Sequence, residues 1–188
     1  MEKEGGLVLP KRVVVGMGRT KTAGKIVRMP LVGYITPLEE NLRMILRNEY
    51  VLDAVLKSQY ARDDGDGLLD GNIVVPQGGV VEIQLAMSID DVEFAVPIGQ
   101  ARVKHKQTIA SYHILNLPCH WRSKDQSKQL LFICKSNYFN KKERADEALL
   151  KDLISVIKKS EKGIPLVEGS SQLFRVTLEQ VCADAEAL

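Results

Sequence analysis

"VVEIQLAMSIDDVEFAVPIGQ", residues 80–100, alternates large apolar side chains (Val81, Ile83, Leu85, Met87, Ile89) with polar or small ones and then runs into two adjacent carboxylates, Asp90 and Asp91. Period-two alternation is the mark of a half-buried strand. Two acids behind such a strand have two readings. Asp is favoured where a chain leaves a sheet, and a carboxylate at a strand tip is rigidly aimed and can hold a divalent cation. The neighbouring elements choose between them.

Downstream, "QTIASYHILNL" (107–117) is a second strand run, and "KQLLFICKS" (128–136) a third, apolar enough to suggest burial on both faces. "KKERADEALLKDLISVIKKSEKG" (141–163) follows as an amphipathic helix with a wide apolar stripe, Lys-rich last turns and Gly163 as its C-terminal stop. A last strand, "QLFRVTLEQVCA" (172–183), leads to Asp184. The order strand, strand, strand, helix, strand predicts an α/β fold: the front part of an RNase H-like core, incomplete at its C-terminus. Its first and fourth strands lie side by side in the middle of a mixed sheet. Asp90 and Asp184, 94 positions apart, then close neighbouring strands.

Upstream, "TPLEENLRMILRN" predicts a helix over about 37–48, with Thr36 as N-cap, Pro37 at the first helical position and Glu39 completing a capping box. Helical spacing resumes at Val51, Leu52, Val55 and Leu56 after a break near Asn48. The expected organisation is a basic flexible arm (1–30), a helical segment (31–62), an acidic Gly-rich loop (63–78) and the incomplete core (79–188). In "VVVGMGRTKTAGK" the glycine spacing is wrong for a P-loop, and Ile26 stands where Ser or Thr is needed. Counting twelve residues from Asp63 reaches Val74 where an EF-hand needs Glu, so the acidic loop is no calcium loop.

Composition sets the class. The 188 residues, 45% hydrophobic and 27% charged, suit one soluble domain, with no apolar run long enough to span a bilayer and no signal peptide pattern. Cys119, Cys134 and Cys182 lack CxxC spacing, which argues against zinc or a disulfide framework and for a reducing, intracellular compartment. The net charge of +2 hides segregation: residues 5–38 hold six basic residues and no acid. Lys11, Arg12, Arg19 and Lys21 there, with Arg102, Lys104 and Lys106 further on, are the candidate nucleic-acid contacts.

Carboxylates at matching ends of adjacent strands, roughly 4.8 Å apart, can reach a shared pair of Mg²⁺ or Mn²⁺ ions of the kind that drive phosphodiester cleavage. Asp90 and Asp184 meet that requirement, as does Asp91 if the strand ends one residue later. The structural alternative is that these are turn-forming acids and no more. Asp152, mid-helix, is expected to face solvent, and Glu93 and Glu186 are outer-ligand candidates at most.

"PLEENLRMILRN", the acidic loop ending in "LDG", "DDVEFAVPIG", the Lys-rich turn before "QTIASYHILNLP", "LLFICKS" and "VCADAEAL" together resemble, in their order, the central part of CACTA-type (EnSpm-like) DDE transposases and related transposon-derived proteins. The resemblance covers the chain from about Thr36 onward. It implies a transposable-element origin, magnesium-dependent DNA strand cleavage and transfer (DNA recombination), Asp90 and Asp184 as metal-binding catalytic acids, DNA as partner, and a nuclear or cytoplasmic location. Self-association is compatible with it, a membrane is not. Two departures stand out. Asp91 occupies a place often held by Gly in plant members, and no third acid is matched, so the expected enzyme is inactive as this fragment. The alternative function is a non-catalytic DNA-binding or protein-interaction module.

Overall fold

The computed structural model describes residues 8–58, 80–93, 106–124, 127–139, 145–166 and 172–183. Within them the first element is β1 (Lys11–Thr22), which turns back through Ala23 and Gly24 into β2 (Lys25–Ile35). Both turn residues have positive φ, 50° and 80°, the geometry of a two-residue type I′ hairpin loop. The flexible arm expected over residues 1–30 is therefore, from Lys11 onward, a β-ribbon. Its alternation is illegible because every residue from Lys21 to Pro30 is exposed, so neither face selects apolar side chains there.

Helices α1 (Leu38–Leu46) and α2 (Glu49–Ser58) come next, separated at Arg47 and Asn48, where Asn48 Oδ1 accepts from the Tyr50 amide at 3.0 Å. Helix α1 starts one residue later than expected. Pro37 is its N-cap, no side chain of the expected capping box bonds to it, and Thr36 is buried. The Leu38 amide instead donates to Asp152 Oδ2 at 2.9 Å, from 114 residues away. Asp152 is thus a cap for another helix, half-buried, and does not face solvent as its mid-helix position suggested. Glu39 is released from capping and binds Arg43 at 3.0 Å and Lys159 at 2.6 Å, tying α1 to the C-terminal helix.

The quoted stretch forms β3 (Val80–Glu93), with Val81, Ile83, Leu85, Met87 and Ile89 buried and the residues between them half-buried. It pairs antiparallel with β4 (Lys106–Ile114), which in turn pairs antiparallel with β5 (Gln129–Lys135) after the short α3 (Cys119–Arg122). Asn116, buried in the Asn-Leu-Pro segment, accepts from the Gln84 amide at 2.6 Å and carries the pairing past the end of β4. Strand β5 buries Leu131, Phe132 and Cys134. Phe132 and Cys134 share the core face; Leu131 joins them through a bulge opposite Ala110 and Ser111, while Ile133 on the other face is half-buried, so burial on both faces is incomplete.

After α4 (Ser136–Phe139), helix α5 (Ala145–Ser160) crosses the sheet and ends near Gly163, whose φ of +80° suits only glycine. A Cβ there would also sit 2.8 Å from Leu173 Cδ1. Ser160, fully buried, accepts from the Val176 amide at 2.9 Å, fixing the helix end to the sheet. The chain then forms β6 (Ile164–Pro165) and β7 (Leu173–Ala183).

Together these make one mixed α/β sheet of seven strands in the order β1-β2-β5-β4-β3-β7-β6, with β7 parallel to β3 and directly beside it. A parallel neighbour requires a crossover, and α5 supplies it. The core lies between the sheet and helices α1 and α5, where Leu38, Leu42, Leu149, Ile83, Phe132 and Phe174 are essentially inaccessible. Each such side chain contributes roughly 1.5–3 kcal/mol by burial. No helix among the described residues is long and apolar enough to cross a membrane.

Candidate functional site

Strands β3 and β7 run in parallel register from Val80 opposite Leu173 to Ile89 opposite Ala183. Each of these last two residues directly precedes a candidate acid in sequence, Asp90 and Asp184. Asp184 lies outside the described residues, as do Arg102, Lys104 and Glu186.

Asp90 and Asp91 are both inside β3, in unbroken register with Ile109 and Thr108. Successive strand residues leave a sheet on opposite faces, so the two carboxylates cannot converge on one ion. Asp91 is on the core face. It accepts hydrogen bonds from Thr108 Oγ1 at 2.6 Å and Ser136 Oγ at 2.9 Å, and Lys106 Nζ stands 3.6 Å away. Burial alone would raise its pKa; the two hydroxyls and the lysine outweigh that and hold the carboxyl below the usual range. Lys106, expected to meet nucleic acid, is engaged here. Glu93 stands opposite Lys106 in the strand register.

Asp90 is on the other face, exposed, with no hydrogen-bond or ion-pair partner among the described residues. Its surroundings follow from register. Asp90 pairs with Ile109, Ile109 with Ile133, Ile133 with Tyr34 and Tyr34 with Arg12, so these five side chains form one row across five strands. Parallel to it, Ser88 stands between Ser111 and Cys182, its Oγ 2.8 Å from Ser111 Oγ. Cys182 is exposed, whereas Cys134, near Asp91 on the core face, has its thiol pushed up to about 12 by burial and by Asp91. A thiol so protonated is no nucleophile.

A hard divalent cation fits Asp90 better than Asp91, because Asp90 has no partner among the described residues while Asp91 Oδ1 already accepts from Thr108 and Ser136 and its Oδ2 faces Lys106. No group of three or more His, Cys, Asp or Glu that could hold a metal occurs among the described residues. A cavity of about 490 Å³ between α1, α2, α3 and β4, lined by Ile45, Val51, Ile114, Trp121 and others, is remote from this position. It reaches β4 at Ile114, five residues or about 17 Å along the strand from Ile109.

The candidate basic contacts separate. Lys11 is bound by Glu40 of α1. Arg12, Arg19 and Lys21 are exposed on β1, and the ribbon adds Arg28, directly opposite Arg19. Arg28 is one of the six basic residues of 5–38, but neither its face nor Tyr34 is marked by composition; the signal that fixes both is the Ala-Gly turn, which pairs "GRTKT" with "KIVRM". No family model matches the chain, and no curated protein matches it in sequence.

Proposed function

We propose that the chain is a transposase-derived protein of RNase H-like fold, built around a DNA-directed metal site at Asp90 and Asp184. One observation supports it above the others: β3 and β7 are parallel neighbours, with Ile89 opposite Ala183. The antiparallel run β5-β4-β3 with β7 on its far side is also the strand order that an RNase H-like core requires. Within this reading Asp90, exposed and without a partner among the described residues, is the ligand of the adjacent pair, and Asp91 is the residue that braces the strand through Thr108 and Ser136. A bound Mg²⁺ or Mn²⁺ would supply activation of the attacking oxygen and charge stabilisation of the leaving one. What the chain itself contributes is aim: a carboxylate held in the body of a central strand has little freedom to relax away from its target.

Only two acids are assigned, so strand cleavage by this chain is expected to be slow or undetectable, and metal binding is the sharper readout. Mn²⁺ titration followed by electron paramagnetic resonance should show a site whose affinity falls at least tenfold in both Asp90→Ala and Asp184→Ala. Asp91→Ala should leave Mn²⁺ affinity near that of the parent while lowering thermal stability. Mn²⁺ binding indifferent to Asp90 and Asp184 would overturn the assignment and leave the non-catalytic DNA-binding module as the better reading.

A further inference from the structure

We propose that the face of the sheet carrying Asp90 continues outward along the β1/β2 ribbon as a seat for double-stranded DNA, with the ribbon entering a groove and Arg12, Arg19, Lys21 and Arg28 as its phosphate contacts. The choice of DNA rests on the function proposed above; the seat itself rests on register and charge. Along β2 the register is unbroken, so Tyr34, Val32, Pro30, Arg28 and Ile26 share one face, the face of Asp90. Their partners on β1 are Arg12, Val14, Met17, Arg19 and Lys21.

Arg12 and Arg19 are seven positions apart, an odd spacing that would put them on opposite faces of a regular strand. A bulge between Val14 and Gly16 inserts one residue, the buried Val15, and restores both arginines to the same side. Bulges are designed features that re-aim side chains, and the effect of this one is to gather cations on one face. The opposite face of the ribbon has Lys25 beside the turn and Lys11 bound by Glu40.

The arrangement is unfavourable for a free protein. Arg19 and Arg28 are directly opposite each other, a like-charge cross-strand pair, and Met17 and Ile26 on the same face are 51% and 73% exposed. Charges that only protect an edge strand from pairing with another chain would serve on either face; these are sorted. From Asp90 to Arg12 the row spans about 19 Å, and from Tyr34 to Ile26 the ribbon extends about 27 Å further. A bare two-stranded ribbon fits the B-form major groove, about 12 Å wide, and is excluded from the deep, narrow groove of duplex RNA.

The test is fluorescence anisotropy on a labelled DNA duplex across a range of salt concentration. The combined Arg19→Ala and Arg28→Ala variant should bind about tenfold more weakly or worse and lose about 2 units of salt slope, since each neutralised phosphate contributes roughly 0.9. The pair Arg19→Lys and Arg28→Lys should keep the slope. Lys151→Ala with Lys158→Ala removes two exposed cations from α5, on the other side of the sheet, and should change affinity less than twofold. Thermal midpoints of the Arg→Ala pair equal to or above the parent's would show that the ribbon variants lose contacts and not fold. An unchanged slope in the ribbon pair, an equal loss in the α5 pair, or equal affinity for duplex RNA or polyglutamate overturns the seat. Asp90→Asn separates the two proposals. Duplex affinity retained with Mn²⁺ binding lost supports both; ribbon-dependent DNA binding without Asp90-dependent metal binding sinks the metal site and leaves the seat standing.

Discussion

Asp90 and Asp91 differ only in the parity of their positions on β3, and that parity decides what each can do. Thr108 and Ser136 both donate to Asp91 Oδ1, while Asp90 emerges where a row of side chains leads to Arg12. Asp152 makes the same point about local sequence. Its carboxylate receives the first amide of α1, a fully buried segment start, and an anion at a helix N-terminus is favoured by the helix dipole as well. Asp152→Ala strands that amide and should destabilise the protein by about 1–3 kcal/mol. Asp152→Asn, which keeps an acceptor oxygen, should cost distinctly less. Urea unfolding of the two variants checks this, and equal losses would show that the hydrogen bond is not what matters.

Among the elements, the ribbon is the one whose turn chemistry is least favourable. A type I′ loop wants Asn, Asp or Gly at both central positions, yet Ala23 is held at a φ of 50°. An L-residue with a Cβ pays roughly 1–2 kcal/mol in that region. Ala23→Gly or Ala23→Asn should therefore stabilise the ribbon, and because every residue from Lys21 to Pro30 is exposed, the gain should appear locally. Amide hydrogen exchange at Thr22 and Lys25, the hydrogen-bonded pair that closes the loop, is expected to slow about fivefold, with little change in the global unfolding midpoint. Exchange unaltered by both substitutions would mean that the turn does not limit ribbon opening. Helix α5 is the contrasting element: its last turn is fixed by buried Ser160 and by a glycine that nothing else can replace, so its position on β7 is set from both ends of the contact.

For the whole molecule, two carboxylates couple stability to pH. Burial works against the charged form of Glu39, but Lys159 and Arg43 outweigh it, and its pKa is lowered, as is that of Asp91. Both folded-state values lie below the unfolded ones, about 4.3 and 3.9, so the unfolded chain takes up protons that the folded chain refuses. Stability is complete above that range and falls as pH drops through it toward the folded values. Denaturant unfolding at pH 7 and pH 3.5 should show this loss, and Glu39→Gln with Asp91→Asn should flatten it; an undiminished slope in the double variant would assign acid sensitivity elsewhere. The elements legible in sequence were those with one buried face: β3, β4, α1 and α5 each sort apolar from polar residues at their own period, and β3 beside β7 follows from their order with a helix between. What stayed hidden had no such sorting or no local partner. The ribbon buries neither face at its tip, the cap of α1 comes from α5, and the commitment of Asp91 is visible only once β4 and the start of α4 deliver Thr108 and Ser136 to it. That exposed tip has a further implication: since residues 21–30 are all exposed while Val15, Leu31 and Ile35 anchor the base of the ribbon to the core, the tip can lengthen or shorten with little repacking, which makes the reach of this molecule a quantity that can change independently of its stability.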